Sequence, residues 1–172
     1  SLPQEAVEAM EQLVRWIAGA GGLVIIPAED DLLATPTFVD GGLVGIEPRI
    51  SLSYGELAQG PGLHIMETQS ENWTEILTGL GATGVELIIA HSGDHPQQGH
   101  PLVPLLQVSS VERVQEVYGA DIDIALAGDA ANWAAQVLEL ITKTASRRYE
   151  PRARAQGNAD FQFTRGLLGV SM

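Results

Sequence analysis

The chain of 172 residues contains no cysteine. That single absence removes disulfides, thiolate nucleophiles, iron–sulfur clusters and cysteine-ligated zinc, so any metal would rest on His, Asp or Glu. Aromatic residues are scarce, three each of Trp, Tyr and Phe, and they do not interleave with bases into a stripe on which nucleobases could stack. Bases are scarce as well: residues 1–112 hold only Arg15 and Arg49, and the net charge is −13. An acidic surface repels phosphate backbones, so nucleic acid is not an expected partner. The remaining bases, from Arg113 through Arg165, all lie in the last third, and that basic tail reads as a solvated or interdomain surface in preference to an anion site. No apolar run reaches the length of a membrane span, and no basic stretch followed by an apolar one marks a secretory leader. A soluble cytoplasmic protein that does not engage membranes is the expectation. Ser1 opens the chain where an initiator Met would stand, which fits a processed or excised piece of something longer.

What is present is an alternation of helical and strand patterns. Apolar residues Ala6, Val7, Met10, Leu13, Val14 and Ile17 recur at spacings of three and four over residues 4–18, between Pro3 and the glycines at 19, 21 and 22. The run LVIIP at 23–27 then reads as a strand buried on both faces. Residues 28–62 carry a weak signal, read as loop with one small strand, for which the apolar piece at 43–46 is a candidate. LHIM at 63–66 is the next buried strand. Ser70 stands as a helix N-cap ahead of the apolar stripe Trp73, Ile76, Leu77 and Leu80. Strand character returns at 85–90 and 102–108, helix at 111–118, strand at 121–124 and a long helix at 129–147, with an irregular basic tail from about residue 149. The expected class is α/β, one domain over residues 1–172, a mostly parallel sheet flanked by helices in a Rossmann-like three-layer sandwich.

In such a sheet, ligands bind beyond the carboxyl ends of the strands. Three loops are thereby selected. They contain Glu29, Asp30 and Asp31; Glu67 and Thr68; and residues 91–100, which gather His91, His95 and His100 with Asp94. Imidazole nitrogens and carboxylates suit a divalent cation such as Fe(II), Mn(II) or Zn(II), and equally suit a polar loop that only hydrogen-bonds a substrate. Asp94 and His95 are the candidate ligands there. Asp121 and Asp123, spaced i and i+2 in an extended segment, could face the same way and share a cation, or form the solvated edge of a strand. Glu67 could act as a general base or be a strand-end carboxylate tied to a helix N-terminus. Asp129 reads as a helix cap and His64 as a satisfied, semi-buried histidine.

Six segments, taken in order, resemble the C-terminal part of the altronate/galactarate dehydratase family, which also includes sulfolactate sulfo-lyase large subunits. They are PGLHIMET at 61–68, the stretch 78–90, the Gly93 loop, PLLQV at 104–108, Asp121-Ile122-Asp123, and DFQFTRG at 160–166. The likeness runs over about residues 50–172, with a fainter echo at 21–34. It implies a hydro-lyase that removes water from an aldonate or aldarate to give a 2-keto-3-deoxy acid, with Fe(II) or Mn(II) as cofactor. It implies Glu67, Thr68 and His91 as catalytic residues, and Ser92, Gly93, Asp94, His95 and Arg165 beside the substrate. The partners it implies are a small sugar acid and a small β-rich module or the other half of the enzyme; a homo-oligomer is compatible with it. This chain departs from the family at the site itself: Glu67-Thr68-Gln69 replaces an aspartate, threonine and proline, and His91-Ser92-Gly93-Asp94 replaces threonines with a basic residue. A long connector before Gly62 is also largely missing. The alternative is therefore a paralogous domain without catalysis that binds a small acid or a partner chain.

Overall fold

The computed structural model describes residues 2–39, 46 and 49–160. Helix α1 (Gln4–Gly19) starts where the Pro3 carbonyl accepts from the Ala6 and Val7 amides. It stops where Gly21 takes φ +80°, a conformation that favours glycine. The remaining elements are β1 (Leu23–Pro27), β2 (Arg49–Leu52), β3 (Gly62–Met66), α2 (Trp73–Ala82), β4 (Ile88–His91), β5 (Leu105–Ser109), α3 (Glu112–Tyr118), β6 (Ile124–Ala125), a 3-10 turn at Ala130–Asn132, α4 (Trp133–Ala145) and α5 (Arg152–Ala155).

Every described strand pairing is parallel. One sheet has the order β1-β3-β2, with Leu23 opposite Gly62 and Arg49 opposite Leu63. The other has the order β4-β5-β6, with Ile88 opposite Leu105 and Val108 opposite Ile124. The α/β class with parallel strands flanked by helices is thus what the chain adopts, its strands falling into two sheets of three.

Alternation along the strands sorts the core. Ile25, Met66, Ile88, Ala90 and Leu105 gather with Leu77 and Leu80 of α2. Val24, Ile26 and Leu63 gather with Val7 and Val14 of α1. Val108, with Ile89 beside it, meets Met10 and Leu13 of α1 and Trp133 and Val137 of α4. Because successive strand residues point to opposite faces, α1 and α4 take one set of side chains and α2 the other. Ile25 of β1 shares its cluster with Ile88 and Ala90 of β4, which couples the two sheets. Fully burying one such Leu or Val contributes about 1.5–3 kcal/mol.

Several expectations shift. The strand in the weak region is β2 at Arg49–Leu52; of residues 43–46 only Ile46 is among the described residues, and it is buried. The N-cap of α2 is Asn72, whose side chain accepts from the Glu75 amide at 3.1 Å, while Ser70 Oγ donates to the Glu75 carboxylate. The tail is not irregular up to residue 160: α5 packs Ala153 at 2% exposure, and Ala159 forms a parallel bridge with Gly99. His64 is fully buried, and its Nδ1 has no partner, so it is not the satisfied, semi-buried histidine expected.

Candidate functional site

Beyond the carboxyl end of β3, Glu67 is exposed, and its amide continues the strand register by donating to the Leu52 carbonyl at 2.9 Å. Thr68 follows with a buried Oγ1 that has no hydrogen-bond partner. Buried hydroxyls are nearly always paired, so an orphan at a strand end marks a place where a ligand oxygen or a water would be accepted. The loop after β1 leaves from the same edge, where the Ala28 amide donates to the Met66 carbonyl at 2.8 Å, and it carries Asp30. Its carboxylate accepts from the Leu32 amide at 2.9 Å, and burial raises its pKa above the usual carboxylate range, with Asp31 acting in the same direction.

The second sheet contributes His91, Ser92, Ser109 and Ser110. His91 ends β4 half-buried, with Nε2 2.9 Å from Ser110 Oγ and accepting from the Ser110 amide at 3.3 Å. Burial lowers its pKa, so the ring is neutral near pH 7. The Ser92 amide donates to the Val108 carbonyl at 2.8 Å, and the Ser92 carbonyl accepts from Ser109 Oγ at 2.7 Å. No hydrogen bond joins Glu67 to His91 among the described residues.

Under this edge runs a buried polar network that the sequence pattern did not single out. Gln107, 1% exposed, accepts at Oε1 from Ser92 Oγ and from the Gln97 amide, and donates through Nε2 to the Asp121 carbonyl. Its own amide donates to Asp123 Oδ2 at 2.7 Å. The other oxygen, Oδ1, accepts from the Tyr149 hydroxyl at 2.7 Å and the Arg152 amide at 2.8 Å. Burial and the neighbouring Asp123 carboxylate push the Tyr149 phenol up to about 12. A polar residue inside a run of apolar ones, as in LLQVS, was the available signal.

The expected metal set does not assemble. Asp123 spends both oxygens on protein donors. Asp94 and His95 stand at the exposed tip of their loop, with side chains 89% and 60% accessible, 3.4 Å from each other, and with His95 Nε2 3.5 Å from the Gln97 side-chain amide. Among the described residues, no three His, Asp or Glu side chains come close enough to hold an ion. The candidate cation ligands Asp94 and His95, and separately Asp121 and Asp123, are not joined into such a group among the described residues. Gly93 lies exposed beside them, and Arg165 lies outside the described residues. His100 faces inward: its Nδ1 accepts from the Leu102 and Val103 amides at 3.1 and 3.0 Å, and burial lowers its pKa. A β-carbon on Gly81 would sit 2.5 Å from its Nε2, so the loop closes against α2 only because residue 81 is glycine.

A shallow apolar depression of about 390 Å3 opens elsewhere, lined by Trp16, Ile17, Ala20, Gly21, Gly22 and Leu138. It lies at the start of β1 and carries no titratable group, whereas Glu67, Thr68, His91 and Ser92 lie at the carboxyl ends of β3 and β4. The functional candidate is the edge.

Residues 49–167 match the family described as D-galactarate/altronate dehydratase, C-terminal. The chain belongs to that family. No curated protein matches it at a significant level. The galactarate/altronate dehydratase match takes in β2 through α5, and with them both strand edges and the Gln107 network, while α1 and β1 precede it. The protein is accordingly a domain of the sugar-acid dehydratase family. Among the described residues, no helix is long and apolar enough to cross a membrane.

Proposed function

We propose that this domain takes part in a hydro-lyase reaction on an aldonate or aldarate, with the acid bound across the carboxyl edges of β3 and β4. In this reading the proton next to the substrate carboxylate passes to Glu67, the enediolate so formed expels the β-hydroxyl, which takes that proton from Glu67 and leaves as water, and the enol tautomerises to a 2-keto-3-deoxy acid. His91, Ser92 and Ser110 hydrogen-bond substrate oxygens, and the Thr68 hydroxyl accepts or donates where it now lacks a partner. The observation that carries the reading is this unpaired Thr68 Oγ1 beside Glu67, at the strand end of a galactarate/altronate dehydratase domain.

Fe(II) or Mn(II), if bound, would draw donors from beyond the described residues as well, since no three described His, Asp or Glu side chains form a group. A small β-rich module or another half of the enzyme is the partner in this reading. The test is incubation with D-galactarate and D-altronate, with and without Fe(II) or Mn(II), reading 2-keto product with semicarbazide. Product formation that drops in Glu67→Gln supports it, and product at the wild-type rate in that variant refutes Glu67 as the base.

The second reading, a paralogous domain that binds a small acid without turnover, is favoured by one observation: Asp94 and His95 point into solvent and Asp123 is fully engaged. Saturable binding of either acid without product would select it.

A further inference from the structure

His91 meets two donors from one residue. Ser110 Oγ lies 2.9 Å from its Nε2, and the Ser110 backbone amide donates to the same nitrogen at 3.3 Å. A backbone N–H can only donate, so the lone pair of the ring faces Ser110. A neutral imidazole has one acceptor nitrogen and one N–H, which places the proton on Nδ1. A second proton on Nε2 would point at the Ser110 amide hydrogen, and burial already disfavours the cation. Nδ1 makes no hydrogen bond among the described residues and is not one of the buried unpartnered atoms, unlike His64 Nδ1 and Thr68 Oγ1. It is an open donor at a strand end. His100 supplies an internal contrast, since its Nδ1 accepts two amides and its proton must sit on Nε2.

We infer that Ser110 holds His91 as the neutral Nδ1–H tautomer, and that His91 offers this N–H, not a basic nitrogen, to a carboxylate or hydroxyl oxygen of an acid ligand. The ligand half of the inference rests on the sugar-acid reading, and the tautomer half does not. Ser110 is a positioning residue, acting through the ring it orients. A neutral donor stabilises charge developing on a ligand oxygen while leaving proton removal to a carboxylate such as Glu67.

Long-range proton–nitrogen spectra of uniformly nitrogen-15-labelled protein at about pH 7.5, above the ordinary histidine pKa, test the tautomer, with His91 assigned through His91→Asn. The wild type should show Nδ1–H for His91 and Nε2–H for His100. Ser110→Ala, which removes the hydroxyl and keeps the amide, should let the Nε2–H form of His91 rise. D-Galactarate should then move the His91 Nδ1 resonance. His91→Gln, whose amide reaches only towards the Nε2 position, should weaken D-galactarate binding about tenfold, the effect of one lost hydrogen bond. His91→Asn, which keeps a donor near Nδ1, should stay within about threefold. An Nε2–H or cationic His91 in the unliganded wild type overturns the tautomer. Movement of other strand-edge resonances without His91 overturns the donor role alone. If no resonance moves with D-galactarate, the sugar-acid reading fails and the donor role fails with it, while the unliganded spectrum still decides the tautomer.

Discussion

Replacing Asp123 with alanine removes the acceptor of three donors at once: the amides of Gln107 and Arg152 and the hydroxyl of Tyr149. The three losses are unequal. Tyr149 and Arg152 are partly exposed, so water can replace the carboxylate for them, whereas Gln107 is 1% exposed and its N–H is left unpaired inside β5. An unsatisfied buried amide costs about 1–3 kcal/mol, and a bond to a charged acceptor contributes about 1.5–3 kcal/mol. These terms overlap, and the net loss should be about 3 kcal/mol. For a domain of this size, about 2–4 °C per kcal/mol converts that into a fall in Tm of about 6–12 °C. Tyr149→Phe, which leaves both amide bonds intact, should lose about half as much. Thermal unfolding followed by circular dichroism gives the Tm values, and an ultraviolet titration gives the phenol. In the native protein Tyr149 should ionise near 12, and in Asp123→Ala at a lower value that still lies above the ordinary 10, because burial, the largest cause of the rise, remains. Because the folded pKa is raised, the stability that Tyr149 contributes is present below pH 10 and lost as pH rises towards 12. A fall in Tm below about 2 °C for Asp123→Ala, or a native Tyr149 that ionises near 10, would refute the account of the network.

Gly81→Ala should destabilise by about 1–3 kcal/mol, since the new methyl lands on the His100 ring, and Gly81→Ala/His100→Ala should recover part of that loss in denaturant titrations. Leu63→Ala, at 0% exposure in β3 in the cluster with Val7 and Val14 of α1, should cost about 2–5 kcal/mol, and a cost under 1 kcal/mol would contradict the packing of that cluster. His91 and His100 both have lowered folded pKa values through burial. Below the ordinary 6.5 the unfolded chain therefore binds more protons, so their contribution is complete above about pH 6.5 and falls with acidification towards the folded pKa values. Tm should drop between pH 7.5 and 5.5, and less in His100→Asn, whose amide oxygen keeps an acceptor near Nδ1; an equal drop would remove His100 from the effect. Asp30, raised by burial, works the other way: its contribution is present below the ordinary carboxylate pKa and is lost as pH rises through the raised folded value.

The largely apolar runs LVIIP, LHIM and LLQVS could be read as parallel strands because continuous apolar stretches without alternation need cover on both faces, although in β1 only Ile26 is fully buried. Their flanking helices were legible from spacing alone. The place of the candidate residues was legible for the same reason: parallel strands put their carboxyl ends on one side, and Glu67, Thr68, His91 and Ser92 stand at those ends. What those residues do was not legible. Asp121-Ile122-Asp123 looks like a pair of ligands by spacing, yet Asp123 is consumed by donors from residues 107, 149 and 152, and distant partners leave no local pattern. Ser110 escaped notice because a serine after a strand carries no signal until the neighbouring strand brings His91 to it. Ser70 and Asn72 are both good caps, and only the backbone decides which one meets the Glu75 amide.

The bridge between Gly99 and Ala159 has a consequence in time as well as in space. The Gly99 amide donates to the Asn158 carbonyl and the Gly99 carbonyl accepts from the Asp160 amide, each at 2.9 Å. During synthesis, which adds residues from the N-terminal end, α1, both sheets and α2 can all emerge before that partner exists. Loop closure over so long an interval is entropically unfavourable and slow. The histidine-bearing loop should thus be among the last parts of the domain to lock, and a nascent chain halted before residue 158 would carry a formed core with its ligand edge still open.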